Sequence, residues 1–118
     1  MILLLCYNHF NINLKLFIII LQLFYHHLHN HVGSVLSGVY YVDATPEQGN
    51  IQFERNDNGE YHIPDVVNKS TYYTSTRATY AAKSGGLYIF PGWLKHSVEG
   101  NTSTTDRISI SFNYGEKS

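Results

Sequence analysis

Residues 107–113 read RISISFN, a run in which every second side chain is polar and those between are apolar. This period of two predicts a β-strand, because successive side chains of a strand point to opposite faces of its sheet. In an ordinary two-layer sheet the polar members would face water. In a small barrel that holds a ligand, the polar face points inward, where a charged group such as Arg107 needs partners.

The polar face of this strand is suited to an anion. A buried arginine is costly unless it meets a negative charge. The planar guanidinium of Arg107 matches a carboxylate in bidentate fashion, and Ser109 would donate a further hydrogen bond to the same anion. Asn113 shares the face and would either bind a ligand or cap the end of the strand, and capping is the interpretation we favour.

The rest of the chain after residue 33 has the texture of a β protein. Short runs rich in Val, Ile, Tyr, Phe and Thr alternate with turn sequences such as TPEQGN and NDNGE. These runs are GSVLSGVYYVD, GNIQFER, STYYTSTRATYAAK, GGLYIFPGW and DRISISFNYG. They predict an all-β core, a sandwich or a barrel. No apolar pattern with a helical period is found after residue 32, so any helix is expected before it.

Composition limits the functions open to the chain. Its 118 residues fit one domain, and the formal net charge of -1 with 8 scattered Lys and Arg offers no basic patch, so no nucleic-acid partner is expected. Cys6 is the only cysteine, which rules out an internal disulfide and any CxxC site. It fits a reducing, cytoplasmic compartment. A metal site must therefore use histidine and carboxylate ligands.

Residues 1–25 differ in composition from the rest of the chain and are predicted to be a separate apolar segment, with the β domain at 26–118. The clean apolar run LFIIILQLF is shorter than the about 20 residues of a membrane span. No basic region or small-residue cleavage site indicates a secretory signal. A membrane anchor is therefore the weaker interpretation, and we favour a buried strand or helix that covers the core. A further interpretation is that the start or reading frame is not authentic, since the composition resembles translated AT-rich sequence.

Histidine is frequent, with 7 in the chain, and YHHLHNH holds four of them. In an extended segment, His29 and His31 project to one face with their Cα atoms roughly 6 to 7 Å apart. Two imidazoles would then converge on one ion, with His96 as a third ligand from elsewhere in the chain. The alternative is a solvated loop, to which we assign His26 and His27 because nothing pairs with them at ligand spacing.

The segments HNHVGSVLSGVYYVD, GNIQFE and GGLYIFPGWLKHSVEGNTSTTDRISISFN carry a resemblance over roughly residues 27–113. In this order they resemble the 2-oxoglutarate and Fe(II)-dependent oxygenases marked by HxH-x-GS-x-LSGVYY and by FP-x-x-L-x-H-x-V before RISISFN. The resemblance implies a double-stranded β-helix, the jelly-roll barrel that cupins share. It also implies a dioxygenase that uses molecular oxygen, hydroxylates an unidentified small molecule or peptide, and releases succinate and CO2.

The resemblance also implies roles for individual residues. Fe(II) would be held by His29, His31 and His96. The co-substrate 2-oxoglutarate would be bound through its distal carboxylate by the Arg-x-Ser pair, Arg107 and Ser109. Tyr40 and Tyr41 occupy opposite faces of one strand, so only one of them lines the site. The remaining co-substrate contacts that we predict are Tyr41 and Asn113.

The chain departs from the superfamily pattern at the metal site. Many of these oxygenases use His-x-Asp or His-x-Glu plus a distal histidine, whereas His31 stands here where the carboxylate would be. Either three histidines ligate, or only one of the HNH pair does and water, Glu54 or Asp43 completes the site. We favour His29 and His96 over His31. Glu54 on its own is typical of a solvated residue at a strand end.

Two rival functions remain open on the sequence. A cupin-type metal-binding domain would share the barrel and the HxH pair, but the glutamate that cupins usually place after HxH is missing and a cupin does not need Arg107 with Ser109. A catalytically silent structural barrel would bind no metal. Substrate specificity is expected to come from loops such as residues 55–71.

Overall fold

The computed structural model describes residues 2–9, 12–21, 25–55, 69, 71 and 74–116. In this part of the chain the strands are β1 (Ile2–His9), β2 (Ile12–Leu21), β3 (His26–His29), β4 (Leu36–Asp43), β5 (Ile51–Glu54), β6 (Arg77–Tyr80), β7 (Leu87–Pro91), β8 (His96–Val98) and β9 (Arg107–Glu116). A short 3-10 turn spans Pro46–Gln48. Most of the 55–71 segment, predicted to set substrate specificity, lies outside the described residues.

The strands form two antiparallel sheets. The larger has the order β1-β2-β9-β4-β7 and the smaller the order β3-β8-β5-β6. The buried apolar core has members from both sheets. The larger sheet contributes Val39, Tyr41 and Phe90, the smaller sheet contributes Ile51, and loops contribute Ala44 and Ala82. The all-β fold predicted from the short apolar runs is therefore confirmed.

Strand β9 lies at the centre of the larger sheet, between β2 and β4. Its polar residues face inward, as the alternation predicts: Arg107 is 3% exposed and Ser109 is 5% exposed. The apolar residues that alternate with these polar ones lie on the opposite face of the sheet. One of them, Ile110, pairs with Tyr40, which is 40% exposed. The barrel thus places its polar face inside.

Gly38 in the LSGVYY motif leaves room on this outer face for the ring of Phe112, its partner across the strands. A Cβ atom at position 38 would come within 2.2 Å of Phe112 Cζ. A glycine is therefore the residue that lets the tip of the aromatic ring approach β4 this closely.

The N-terminal segment forms strands that extend the larger sheet. β1 and β2 pair antiparallel, and β2 pairs with the whole of β9, from Ile12 opposite Glu116 to Leu21 opposite Arg107. Of the strand or helix predicted there, the structure shows strands. Among the described residues, no helix is long and apolar enough to cross a membrane.

Candidate functional site

Three histidines meet at one end of the smaller sheet. His29 ends β3 and is the direct partner of His96, which begins β8. His31 lies two residues after His29, and its backbone N–H donates to the carbonyl of Gly92 at 2.8 Å. Gly92 packs so closely that a Cβ atom there would lie 2.1 Å from the Ser34 carbonyl oxygen. The Pro-Gly turn predicted before His96 therefore also positions His31.

The three imidazoles are near enough to share one ion. Ring centroids are 4.3 Å apart for His29 and His96, 5.0 Å for His29 and His31, and 5.1 Å for His31 and His96. One ring nitrogen from each lies within 4.8 Å of those of the other two. The HxH pair and the distal histidine, predicted to converge, do come together.

Backbone carbonyls orient two of these rings. The Nδ1 atom of His29 lies 2.7 Å from the carbonyl oxygen of His27, and the Nδ1 atom of His96 lies 3.0 Å from that of Leu94. A carbonyl oxygen only accepts, so each Nδ1 carries the proton and donates it. In the neutral ring this leaves the Nε2 lone pair free for a metal, which is the arrangement usual for metal-binding histidines.

Burial favours the neutral form of two of the three histidines, His96 and His31. His96 is 5% exposed, and burial lowers its pKa to about 4, although the carbonyl of Leu94 acts in the opposite direction. The pKa of His31 is also lowered, first by burial and then by His29. Neutral imidazole is the form that binds metal ions. These two histidines therefore need little deprotonation before a cation binds.

The stability of the metal-free protein should depend on His96 at acid pH. The unfolded chain protonates this histidine near pH 6.5 and the folded chain only near pH 4. The unfolded state thus binds more protons in this window, and the free energy of unfolding should fall as the pH falls from about 6.5 to 4. Urea unfolding at several pH values measures this slope.

His96→Gln should give a shallower slope than the wild type, and His27→Gln, which changes an exposed neighbour of the cluster, should keep the wild-type slope. Equal slopes for wild type and His96→Gln would contradict a buried neutral His96.

Arg107 lies on the other sheet and its charge has no carboxylate partner among the described residues. Its Nη1 atom donates to the carbonyl oxygens of Gln48 and Gly49, the latter at 3.1 Å. Both of its hydrogen bonds to described residues come from this one nitrogen. Burial lowers the pKa of Arg107, and Tyr41 acts in the opposite direction. A buried cation of this kind favours an anionic ligand at its remaining nitrogens.

The 3-10 turn before β5 fixes the arginine. The side chain of Gln48 is buried and its Nε2 donates to the hydroxyl of Thr105 at 2.7 Å, which ties the turn to the loop before β9. Gly49 has φ 101°, and a Cβ atom there would lie 2.1 Å from the Glu99 carbonyl oxygen and 2.7 Å from Arg107 Nη1. Glycine is therefore required for this close approach. Sequence reasoning missed both residues of this turn.

The other predicted co-substrate residues lie on the same wall. Ser109 is the direct partner of Tyr41 in the adjacent strand, and Tyr41 is 1% exposed whereas Tyr40 is 40% exposed. The tyrosine that faces inward is thus Tyr41. Burial raises the pKa of Tyr41 to about 12, so its hydroxyl is a neutral donor.

Asn113 also faces the inside, and its Oδ1 accepts a hydrogen bond of 2.7 Å from the hydroxyl of Ser37. The capping interpretation that we favoured for it is wrong, because β9 continues to Glu116 where β2 and β4 pair with it. Asn113 is an interior residue of the strand.

The alternative carboxylate ligands lie elsewhere. Glu54 forms an ion pair with Arg77 across β5 and β6. Asp43 is exposed and accepts a hydrogen bond of 3.4 Å from Ser84. Neither belongs to the lining of the cavity that holds the histidines.

His27 is exposed as predicted, but the assignment of His26 to a solvated loop is wrong, since β3 places His26 half-buried in the cavity wall.

One cavity of about 240 Å³ joins the histidine cluster to the arginine. By strand register, an apolar girdle at the Val98–Ile51 pair lies between the His29–His96 pair and the carbonyls of Gln48 and Gly49 that hold Arg107. Its polar lining is His26, His29, His31, His96, Arg107, Ser109, Ser111 and Asn113, with Tyr41 beside Arg107. The girdle includes Val39, Ile51, Phe90 and Val98. This arrangement suits a short ligand with a metal-binding end and an anionic end.

A family model described as "Putative 2OG-Fe(II) oxygenase" matches residues 17–113. The chain belongs to this oxygenase family. The match starts inside β2 and ends at Asn113 in β9, and so includes every predicted site residue. Membership makes the chain one of a family of oxidoreductases. No curated protein sequence matches it.

Solved structures share the fold at low identity. The α-ketoglutarate-dependent epimerase SnoN from nogalamycin biosynthesis superposes with a TM-score of 0.59 at 17% identity, covering 88% of this chain and 48% of SnoN. A 2OG-Fe(II) oxygenase from Burkholderia pseudomallei gives 0.61 at 12% identity, covering 87% and 43%. A cupin superfamily protein from Desulfitobacterium hafniense gives 0.55 at 8% identity, covering 98% and 79%.

These likenesses establish the jelly-roll fold that oxygenases and cupins share, and the predicted fold class is confirmed. The chain spans a little under half the length of SnoN and of the B. pseudomallei oxygenase. A crystal structure shows SnoN in complex with Fe3+, α-ketoglutarate and nogalamycin RO.

Proposed function

We propose that this chain forms the Fe(II)- and 2-oxoglutarate-binding barrel of a dioxygenase that hydroxylates a small molecule or peptide. One observation carries the proposal: a three-histidine cluster and a buried arginine without a carboxylate partner among the described residues line one cavity, on either side of the apolar Val98–Ile51 pair. The proposed metal ligands are His29, His31 and His96. The proposed co-substrate contacts are Arg107, Ser109, Tyr41 and Asn113.

The donor set fits Fe(II). Imidazole nitrogen is a good ligand for iron, and two nitrogens at about 2.1 Å from one ion lie at most about 4.2 Å apart. The ring nitrogens of the cluster lie within 4.8 Å of one another, so small side-chain rotations bring them onto one ion. Three protein ligands leave positions open for a bidentate keto acid and for oxygen.

The chain's own residues would bind and orient the co-substrate. Arg107 and Ser109 hold its distal carboxylate, while the girdle of Val39, Ile51 and Val98 packs on the methylene groups and excludes water. The keto-acid end then points to the histidine cluster. When bound, iron supplies the oxygen chemistry, in which substrate C–H, 2-oxoglutarate and O2 become C–OH, succinate and CO2. The single cysteine favours a reducing, intracellular location for this chemistry.

The cupin-type alternative is favoured by one observation, the likeness to the cupin from D. hafniense over most of both chains. Such a domain would use the histidine cluster in the same way. However, a cupin-type function would not explain why a buried arginine, Arg107, lines the same cavity beside Ser109. A catalytically silent barrel would explain neither the histidine cluster nor the buried arginine.

Turnover tests the proposed function. Fe(II)-loaded protein supplied with 2-oxoglutarate and oxygen should form succinate slowly even without substrate, as chromatography or mass spectrometry would detect. Protein without Fe(II) and protein under nitrogen should form none. If Fe(II)-loaded protein forms no succinate above these blanks, the oxygenase assignment of this chain fails and the cupin-type alternative gains.

A further inference from the structure

A fourth histidine, His26, lines the cavity apart from the metal cluster. It lies on β3, and its ring centroid is 6.4 Å from that of His29. Its neighbour across the strands is Val98, which in turn pairs with Ile51. All three residues line the cavity. His26 is therefore the polar member of a row that is otherwise apolar.

His26 lies in the electrostatic field of Arg107 as well as of His29. Burial lowers the pKa of His26 most, with smaller effects from the positive charge of Arg107 and then from His29. The strand register brings the two side chains to one region of the cavity: His26 is opposite Val98, Val98 pairs with Ile51, and Gly49, two residues before Ile51, accepts a hydrogen bond from Arg107. The carbonyls of Gln48 and Gly49 occupy Arg107 Nη1, so an anion in the cavity that Arg107 and His26 both line would bind at the other guanidinium nitrogens.

We propose that His26 donates a hydrogen bond to the distal carboxylate of bound 2-oxoglutarate and so forms, with Arg107, a two-sided clamp on that anion. This inference rests on the proposed function. A carboxylate bound there would accept one hydrogen bond from the N–H of the neutral imidazole and others from the guanidinium. The carboxylate also supplies a hydrogen-bond acceptor to the His26 imidazole, whose neighbours across the strands, Val98 and Ile51, have apolar side chains that offer none.

Paired titrations with two keto acids separate the clamp from general packing. 2-Oxopentanoate has the same metal-binding end as 2-oxoglutarate but a methyl group in place of the distal carboxylate. Both acids are titrated by calorimetry into Mn(II)-loaded wild type, His26→Leu, His26→Asn and His27→Leu. Leucine suits the apolar row, asparagine keeps a hydrogen-bond donor, and position 27 is the exposed neighbour.

The clamp predicts that His26→Leu weakens 2-oxoglutarate binding about tenfold or more, the loss expected for a hydrogen bond to a charged group. Binding of 2-oxopentanoate should be unchanged, His26→Asn should recover part of the loss, and His27→Leu should match the wild type. Bound Mn(II) should be the same in all four proteins.

Three results would overturn the clamp while leaving the proposed function intact: unchanged 2-oxoglutarate affinity in His26→Leu, an equal loss for both keto acids, or loss of Mn(II) from that variant. The last would make His26 part of the metal site. If wild type binds Mn(II) but no 2-oxoglutarate, the proposed function fails and the clamp fails with it.

Discussion

Arg107→Ala is expected to weaken 2-oxoglutarate binding by about 100-fold while the protein keeps its metal. Truncating one partner of a buried, hydrogen-bonded charge pair costs about 3 kcal/mol, which is about 100-fold in Kd. Arg107 is buried and aligned with Ser109 on β9, so the anion it binds would be desolvated. Anaerobic titration of the Fe(II) protein with 2-oxoglutarate, monitored by optical absorption, measures the Kd.

Two variants serve as controls for this experiment. Arg107→Lys keeps the charge but loses the planar fork, so its affinity should lie between those of wild type and Arg107→Ala. Arg77→Ala removes an arginine that pairs with Glu54 and does not line the cavity, so it should bind 2-oxoglutarate as the wild type does. A cupin-type domain would instead show the same metal content and no effect of Arg107 on any bound ligand.

His29→Ala and His96→Ala are each expected to lower Fe(II) affinity by more than about 100-fold. Loss of a residue that merely orients a metal ligand typically costs about 10- to 100-fold, and loss of the ligand itself should exceed that. Metal content after dialysis against a weak chelator, measured by elemental analysis, gives the result. His27→Ala, next to the cluster but exposed, should retain the metal.

His31→Ala decides between the two ligand sets. The His31 ring lies 5.0 Å from that of His29 and 5.1 Å from that of His96, so we expect a loss similar to those of the other two variants. Wild-type Fe(II) affinity in His31→Ala would show that two histidines suffice. Wild-type affinity in His96→Ala would contradict the site as a whole.

Short-range patterns in the sequence were sufficient to predict which side chains share one face of a strand. The alternation in RISISFN predicted a strand with Arg107 and Ser109 on one face, and the structure buries both. The HxH spacing predicted that His29 and His31 share a face, and adding His96 required only that β3 and β8 be neighbours. Local geometry and the need to neutralise a buried cation were sufficient for these predictions.

The features that escaped sequence reasoning depend on contacts between distant segments. Gln48 and Gly49 looked like an ordinary turn, and only the approach of Arg107 from β9 gives their carbonyls a role. His26 was grouped with His27 because neither has a partner at ligand spacing. The pairing of His26 with Val98 places it in the cavity wall, and this pairing cannot be read from spacing.

Asn113 illustrates the same limit at the end of a strand. The chain after it, YGEKS, gives no sign that β9 continues. The strand continues because β2 pairs along its whole length, and the apolar character of residues 12–21 did not specify which strand they would join.

Titration of the anaerobic wild-type Fe(II) protein with 2-oxoglutarate tests the central claim most directly, because it requires the metal site and the anion site in one cavity. We predict a visible absorption band that grows to saturation with one equivalent of 2-oxoglutarate per iron and is absent with succinate. An Fe(II)-loaded protein that shows no 2-oxoglutarate-dependent band would contradict the account.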